Sequence, residues 1–188
     1  MAQAVGDKAP PGTALRRPVV MVGMMGSGKT AVGTALADRL RVPFRDTDAA
    51  LEEAARMTVP EIFARDGEAF FRARETEVLR RLLSEGPGVV STGGGAFLRA
   101  ENRAAIAEGG VSVWLKVHLE VLWGRVKGRT HRPLLMTDNP RATLERLLAE
   151  REPSYAKAAL VVEAQAETSI ASMVDRVCDA LRRAGVLS

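Results

Sequence analysis

The run Gly23-Met24-Met25-Gly26-Ser27-Gly28-Lys29-Thr30 carries the densest chemical signal in the chain. It fits the pattern G-x-x-x-x-G-K-[ST] in full, with an apolar strand pattern before it and an amphipathic helical pattern after it. Glycines let the backbone curl so that successive N–H groups point inward as an anion nest. The following helix N-terminus adds a partial positive charge facing the same point. A lysine supplies a point charge for β- and γ-phosphates, and a hydroxyl at the next position suits a phosphate-bound Mg²⁺. Met25, Gly26, Ser27, Gly28, Lys29, Thr30 and Ala31 are therefore the expected nucleotide-binding segment, with Lys29 catalytic and Thr30 a metal contact. Read without its context, the run is a glycine-rich turn with an exposed lysine.

Further chemistry follows along the chain. Asp46 and Asp48 flank Thr47 directly after a short strand pattern. In extended chain, positions i and i+2 point to the same side, so both carboxylates would project from one sheet edge. One could hold Mg²⁺ through its waters and the other could accept a hydrogen bond from an alcohol. Asp48 could equally cap the helix expected from Ala49. Arg72 could form an ordinary helical ion pair with Glu68 or Glu75, which lie four and three positions away. Gly93-Gly94-Gly95 after a strand allows close backbone approach to a ligand, or forms a simple flexible loop. Arg129 and Arg132 in a polar loop read on their own as solvated charges. His118 and His131 lack metal-ligand spacing.

These groups need a scaffold, and the hydropathy pattern supplies one. Strand patterns fall at 19–22, 43–46, 89–91, 111–115 and 160–162. Helical patterns fall at 30–40, 49–56, 60–65, 68–83, 102–108, 119–126, 140–151 and 170–183. Alternation of strand and helix implies an α/β fold with a five-stranded parallel sheet flanked by helices. Residues 1–17, with Gly6, Pro10, Pro11 and Gly12, read as a disordered leader. Residues 18–188 then form a single kinase domain, with 128–139 as a polar, proline-containing loop. The chain's 188 residues fit one domain with a substantial core.

Composition removes several alternatives. A formal charge of +4 with few aromatics and no basic run lacks the stacking platform of a nucleic-acid binder. No apolar run approaches the length of a membrane span, and the first residues lack the pattern of a secretory signal. One cysteine, Cys178, cannot make an intramolecular disulfide, which points to the cytoplasm; its apolar helical setting reads as core. A GTPase would carry an Asn-Lys-x-Asp base-reading motif, which is absent, and the chain is too short for a motor.

Taken in order, the motifs resemble the shikimate kinase family over about residues 19–160. The resemblance rests on Gly23-x-Met25-Gly26-x-Gly28-Lys29-Thr30 and Phe44-x-Asp46-x-Asp48. It continues through Ile62-Phe63, Gly67-Glu68-x-x-Phe71-Arg72-x-x-Glu75, Ser91-Thr92-Gly93-Gly94-Gly95, Arg129-x-x-Arg132-Pro133-Leu134-Leu135 and Arg151-x-x-x-Tyr155. It implies a fold of the P-loop, nucleoside-monophosphate-kinase-like type, and shikimate 3-phosphorylation by ATP with Mg²⁺, a step toward chorismate and the aromatic amino acids. It also implies roles. Asp46 matches the carboxylate near the metal, and Asp48 the acidic residue at the substrate hydroxyls, a candidate base. Arg72 and Arg151 match the arginines that bind the substrate carboxylate, and Glu75 the acid that orients them. Phe63 and Phe71 match its apolar wall, and Gly93, Gly94 and Gly95 the backbone beside its ring. Arg132 matches the lid arginine of the loop 128–139, and Arg125 the residue against adenine. A guanidinium fork fits a carboxylate bidentately, in keeping with those roles. The stretch 163–168 lacks the proline that the family often places there, and Asp138-Asn139-Pro140 is atypical at the far end of the lid.

A monomer acting on small molecules, without nucleic acid or membrane, is expected. The competing readings are a gluconate-type or nucleoside monophosphate kinase, which would lack the Arg72/Arg151 pair with the glycine triplet, and a nucleotide-binding regulator without turnover.

Overall fold

The computed structural model describes residues 14–128 and 133–188. Five strands form one parallel sheet: β1 (Val19–Val22), β2 (Phe44–Asp46), β3 (Val89–Ser91), β4 (Val111–Val117) and β5 (Leu160–Ala164). Their spatial order is β2-β3-β1-β4-β5, with every pairing parallel. The central strand β1 is completely buried, which is why it reads as an unbroken apolar run. Chain order reverses across β1, from β3 on one side to β4 on the other. In open α/β sheets the crevice beyond the strand ends at such a switch is where ligands bind.

Helices flank this sheet. They are α1 (Lys29–Leu40), α2 (Thr47–Ala55), α3 (Val59–Ser84), α4 (Ala100–Gly109), α5 (Leu119–Val126), α6 (Pro140–Tyr155) and α7 (Ile170–Arg183). α1 packs on β3 and α7, and α3 packs on α2 and α4. The start of α3 is set by a capping box: Thr58 and Glu61 satisfy each other's backbone N–H groups, with Pro60 in the first turn. Gly67, at φ 82° and ψ 174°, then breaks the helical geometry and divides α3. This explains the two separate helical patterns expected at 60–65 and 68–83. Cys178 is buried in α7, and burial pushes its thiol pKa up, as suits a core residue. Among the described residues no helix is long and apolar enough to cross a membrane.

Several expected boundaries move. β4 runs to Val117 and β5 to Ala164, because their last residues pair with each other. α6 continues past Arg151 to Tyr155 with Pro153 inside its last turn. The polar loop expected at 128–139 contains a short 3-10 turn, Pro133–Leu135. The disordered leader expected over 1–17 is corrected at its last residues, 14–17. Leu15 is buried and bridges Leu187 in antiparallel fashion, and Ala14 donates its N–H to the Ser188 hydroxyl at 2.8 Å. Arg17 donates to the carbonyls of Ala107 and Glu108 at 3.1 and 2.8 Å, near the C-terminal end of α4, where a cation is favoured. Composition missed this because the partners lie at the far end of the chain. Residues 1–13 lie outside the described residues.

Leu15→Ala should accordingly lower the unfolding free energy by about 2 kcal/mol, the low end for a buried leucine. Urea denaturation measures it. An unchanged midpoint would mean that Leu15 contributes nothing to the packed domain.

Candidate active site

Three strand ends deliver the chemistry to one edge of the sheet. β1 leads into the glycine-rich loop, β2 ends on Asp46, and β3 leads into Gly93. A cleft of about 510 Å³ opens there. It is lined by the loop from Met25 to Val32, by Asp46 and Asp48, by Ser91 to Gly94, and by Arg125. Its far end is closed by Ala164, Thr168, Ile170 and Met173.

The loop is held from below. Gly26 has φ 78°, and a methyl group placed on it would lie 2.7 Å from a Val126 methyl of α5. Only glycine satisfies both the left-handed backbone and that close approach. Gly28, at φ 95°, turns the chain into α1. Lys29 Nζ donates to the carbonyls of Gly23 and Met24 at 2.9 and 3.0 Å. Arg125 donates to the carbonyls of Gly26 and Ser27 at 3.1 and 3.3 Å. Two cations thus bond to the loop's carbonyls, and the helix N-terminus sits at its end.

The aspartates are arranged differently from the extended-chain expectation. Helix α2 begins at Thr47, so Asp48 lies in a helical first turn and not two residues along a strand. Asp46 is the cap: its Oδ1 accepts from the N–H groups of Asp48 and Ala49 at 3.0 and 3.1 Å. The capping role considered for Asp48 therefore belongs to Asp46. Both carboxylates still line the cleft.

Asp48 is the most perturbed acid of this site. Desolvation, with repulsion from Asp46, Glu75 and Glu52, raises its pKa from 3.8 to about 6, against a smaller opposing pull from Lys29. Glu75 is buried, and that burial raises its own pKa although the guanidinium groups of Arg72 and Arg99 pull it down.

The glycine triplet runs between these groups. A methyl group on Gly93 would lie 3.0 Å from Asp48 Oδ1 and 3.4 Å from Glu75 Oε1. On Gly95 it would lie 2.8 Å from both terminal nitrogens of Arg72, and on Gly94 3.5 Å from Arg151 Nη1. The triplet is thus a close approach to charged side chains on every side. Thr47 accepts the Gly93 N–H at 3.3 Å, and Tyr155 donates its hydroxyl to the Gly94 carbonyl at 2.6 Å.

Arg72 makes the helical ion pairs that spacing alone suggested, to Glu75 at 2.9 Å and Glu68 at 3.5 Å. It also lies 5.2 Å over the Phe71 ring, whose centroid is 4.5 Å from that of Phe63. Phe63, Phe71, Arg72, Glu75, Gly95 and Arg151 do not line the main cleft; Glu75, Arg151 and Arg72 stand against the glycine triplet, with Phe71 against Arg72 and Phe63 against Phe71. Arg129 and Arg132 lie outside the described residues.

Some neighbours of the site carried no sequence signal. Thr47 was noted only as a spacer between aspartates. Ile170 and Met173 come from the first turn of α7, far along the chain, whereas Thr168 ends the 163–168 stretch that the family resemblance already singles out. Tyr155 belongs to the motif Arg151-x-x-x-Tyr155 but has no role of its own there; the spacing of four residues puts it on the same helical face as Arg151.

Comparison with known proteins decides the family. The shikimate kinase family model matches residues 25–182. The shikimate kinase of Ruegeria pomeroyi is 62% identical over 168 residues, covering 89% of this chain and 86% of the relative.

The chain belongs to the shikimate kinase family.

The shikimate kinase of Cereibacter sphaeroides is 58% identical over 89% of this chain and 83% of its own. The structure of shikimate kinase from Acinetobacter baumannii in complex with shikimate superposes with a TM-score of 0.84 at 35% identity, covering 90% of this chain and 94% of that one. A gluconokinase from Sinorhizobium meliloti reaches a TM-score of 0.59 at 22% identity over 90% of this chain and 94% of its own, a likeness of fold alone. The five-stranded parallel P-loop kinase fold expected from the hydropathy pattern is the fold of this shikimate kinase family member.

The raised Asp48 pKa has a stability consequence. The folded state binds this proton more tightly than the unfolded chain, so the associated stability is present below pH 3.8 and lost as pH rises through about 6. Asp48→Asn, a neutral isostere, should therefore stabilise the protein near neutral pH and make little difference near the unperturbed carboxylate pKa of about 3.9. Urea midpoints at the two pH values test this. An Asn variant less stable than the parent at neutral pH would mean that the charged carboxylate is well accommodated.

Proposed function

We propose that this shikimate kinase family member transfers the γ-phosphoryl group of ATP to the 3-hydroxyl of shikimate, releasing ADP and shikimate 3-phosphate. The observation that carries this reading is the glycine triplet. It places a carboxylate pair, Asp48 and Glu75, and two guanidinium groups, Arg72 and Arg151, around backbone that adjoins the phosphate loop. An acceptor with a carboxylate at one end and hydroxyls at the other matches that charge arrangement. A gluconate-type reading shares the phosphate loop but does not account for the paired arginines about the triplet.

The transfer is an in-line displacement: the acceptor oxygen forms a bond to γ-phosphorus as the bridging oxygen of ADP leaves. The transition state is loose, so positioning and charge neutralisation dominate. Backbone N–H groups from Met25 to Ala31 and the Lys29 ammonium group receive the phosphates. For Lys29 this means giving up its hydrogen bonds to the loop carbonyls of Gly23 and Met24. Arg125, fastened to the same loop, is positioned beside the nucleotide. Asp48 accepts a hydrogen bond from the attacking hydroxyl and takes its proton as the P–O bond forms. A pKa of about 6 keeps Asp48 mainly ionised at neutral pH, yet basic enough to hold that proton. Arg132, in the loop after α5, is assigned to the transferring phosphoryl group, following the family resemblance. Thr30 and Asp46 are hard oxygen donors on the same cleft, a set that fits Mg²⁺ with phosphate oxygens and water completing its shell. Thr30 would hold the ion directly and Asp46 through water; the ion supplies charge neutralisation at the β- and γ-phosphates.

A coupled ADP-release assay with shikimate and a panel of other hydroxy acids tests the reaction. Turnover that needs no carboxylate on the acceptor would overturn the substrate assignment. Arg72→Ala or Arg151→Ala should raise the shikimate KM by about ten- to a hundredfold, the cost of one charge-assisted hydrogen-bonded partner. The KM for ATP should stay near parental, and lysine at either position should rescue only in part. Loss of ATP affinity with parental shikimate KM would assign the arginines to the nucleotide instead. Arg132→Ala should lower kcat more than it weakens shikimate binding, measured by steady-state kinetics beside equilibrium binding. Parental kcat would remove Arg132 from the transition state.

A further inference from the structure

Tyr155 is the chain's only tyrosine, and it is almost wholly buried at the last turn of α6. A buried phenol needs a partner for its hydroxyl, and here that partner is backbone of the glycine triplet. The hydroxyl donates to the Gly94 carbonyl at 2.6 Å, and the Arg151 guanidinium lies against the same glycine, its Nη1 3.5 Å from where a Gly94 methyl group would be. The helical spacing from Arg151 to Tyr155 puts both on one face of α6. Burial raises the phenol pKa and Arg151 opposes it, so the hydroxyl keeps its proton and remains a donor. The ring is fixed by packing near Trp114, with centroids 6.1 Å apart.

The Tyr155 hydroxyl, the Gly94 carbonyl that it bonds and the Arg151 guanidinium thus meet at one point of the triplet. A short hydrogen bond of this kind restricts the rotation of both its members and fixes the surface against which the guanidinium rests. Arg151 is otherwise a long side chain with several rotamers, and Gly94 is the least restrained kind of backbone. We propose that Tyr155 is a positioning residue for the acceptor site. It holds the Arg151 guanidinium and the glycine triplet in one mutual geometry, so that the carboxylate clamp and the backbone beside the substrate ring are pre-assembled as a unit. This rests on the acceptor assignment given above. It adds a link between α6, which follows the loop carrying Arg132, and the triplet that follows β3.

The test uses the full-length protein and two readouts. Tyr155→Phe removes one oxygen and keeps the ring. It should raise the shikimate KM about three- to tenfold, the range for losing one hydrogen bond to a charged or strongly polar partner, with the KM for ATP unchanged. Because the chain has one tyrosine, growth on 3-fluorotyrosine labels this position alone. Its fluorine resonance should move on saturation with shikimate and stay in place on saturation with ADP. A role in packing alone predicts a lowered melting temperature with both KM values moved together, or with neither moved, and either result overturns the proposal. If the phenylalanine variant does not fold, the labelled parental protein decides: a resonance indifferent to shikimate overturns the proposal. Absence of shikimate turnover in the parental protein would instead sink the acceptor assignment itself. Turnover with a flat Tyr155→Phe profile sinks only the positioning role.

Discussion

Asp48 and Glu75 face the same glycine, with Asp46 close enough to Asp48 to raise its pKa, and the rest of the site is organised around holding these acids in place. Buried carboxylates resist ionisation, and like charges make the resistance worse. Two arrangements offset this. Asp46 is tied down as a helix cap by two backbone N–H groups. Glu75 is paired with Arg72, whose guanidinium lies against the Phe71 ring and the glycine triplet. Asp48 is left least compensated. Its elevated pKa follows from that position, as does its suitability to take a hydroxyl proton.

The glycine triplet makes this packing possible. A side chain at Gly95 would strike the guanidinium of Arg72, and one at Gly93 would strike Asp48. Backbone therefore occupies the space among the charges and is itself fastened by Thr47 and Tyr155. On the other side of the cleft the phosphate loop repeats the same solution. Its glycines clear space for α5 while Lys29 and Arg125 hold its carbonyls. The two halves meet because β1 and β3 are adjacent parallel strands whose C-terminal ends open on one edge.

Much of this was legible in order along the chain. The phosphate loop carries its meaning locally, since a strand, a glycine turn and a helix N-terminus are contiguous. The unbroken apolar run of Val19–Val22 announced a doubly covered strand. Gly67 separated two helical patterns, and the backbone does break there. Asp46 and Asp48 were found, but their division of labour as cap and cleft acid was not. It depends on α2 starting two residues earlier than the pattern suggested. Leu15 was assigned to a disordered leader because its stabilising contacts belong to residues near 187.

The reaction class is readable from the chain alone because anion nests and apolar periodicities are properties of neighbouring residues, and the family is readable from the order of the motifs. Tertiary structure decided which charges meet. Whether Arg72, on α3, is a surface ion pair or part of a site depends on Gly95 approaching it from the loop after β3. The raised pKa of Asp48 depends first on its burial in the cleft, then on Asp46 and on Glu75 arriving from α3. Those outcomes arise from burial and from separations of a few ångströms between segments distant in the chain. Coulomb repulsion and desolvation respond to those separations and not to spacing along the sequence.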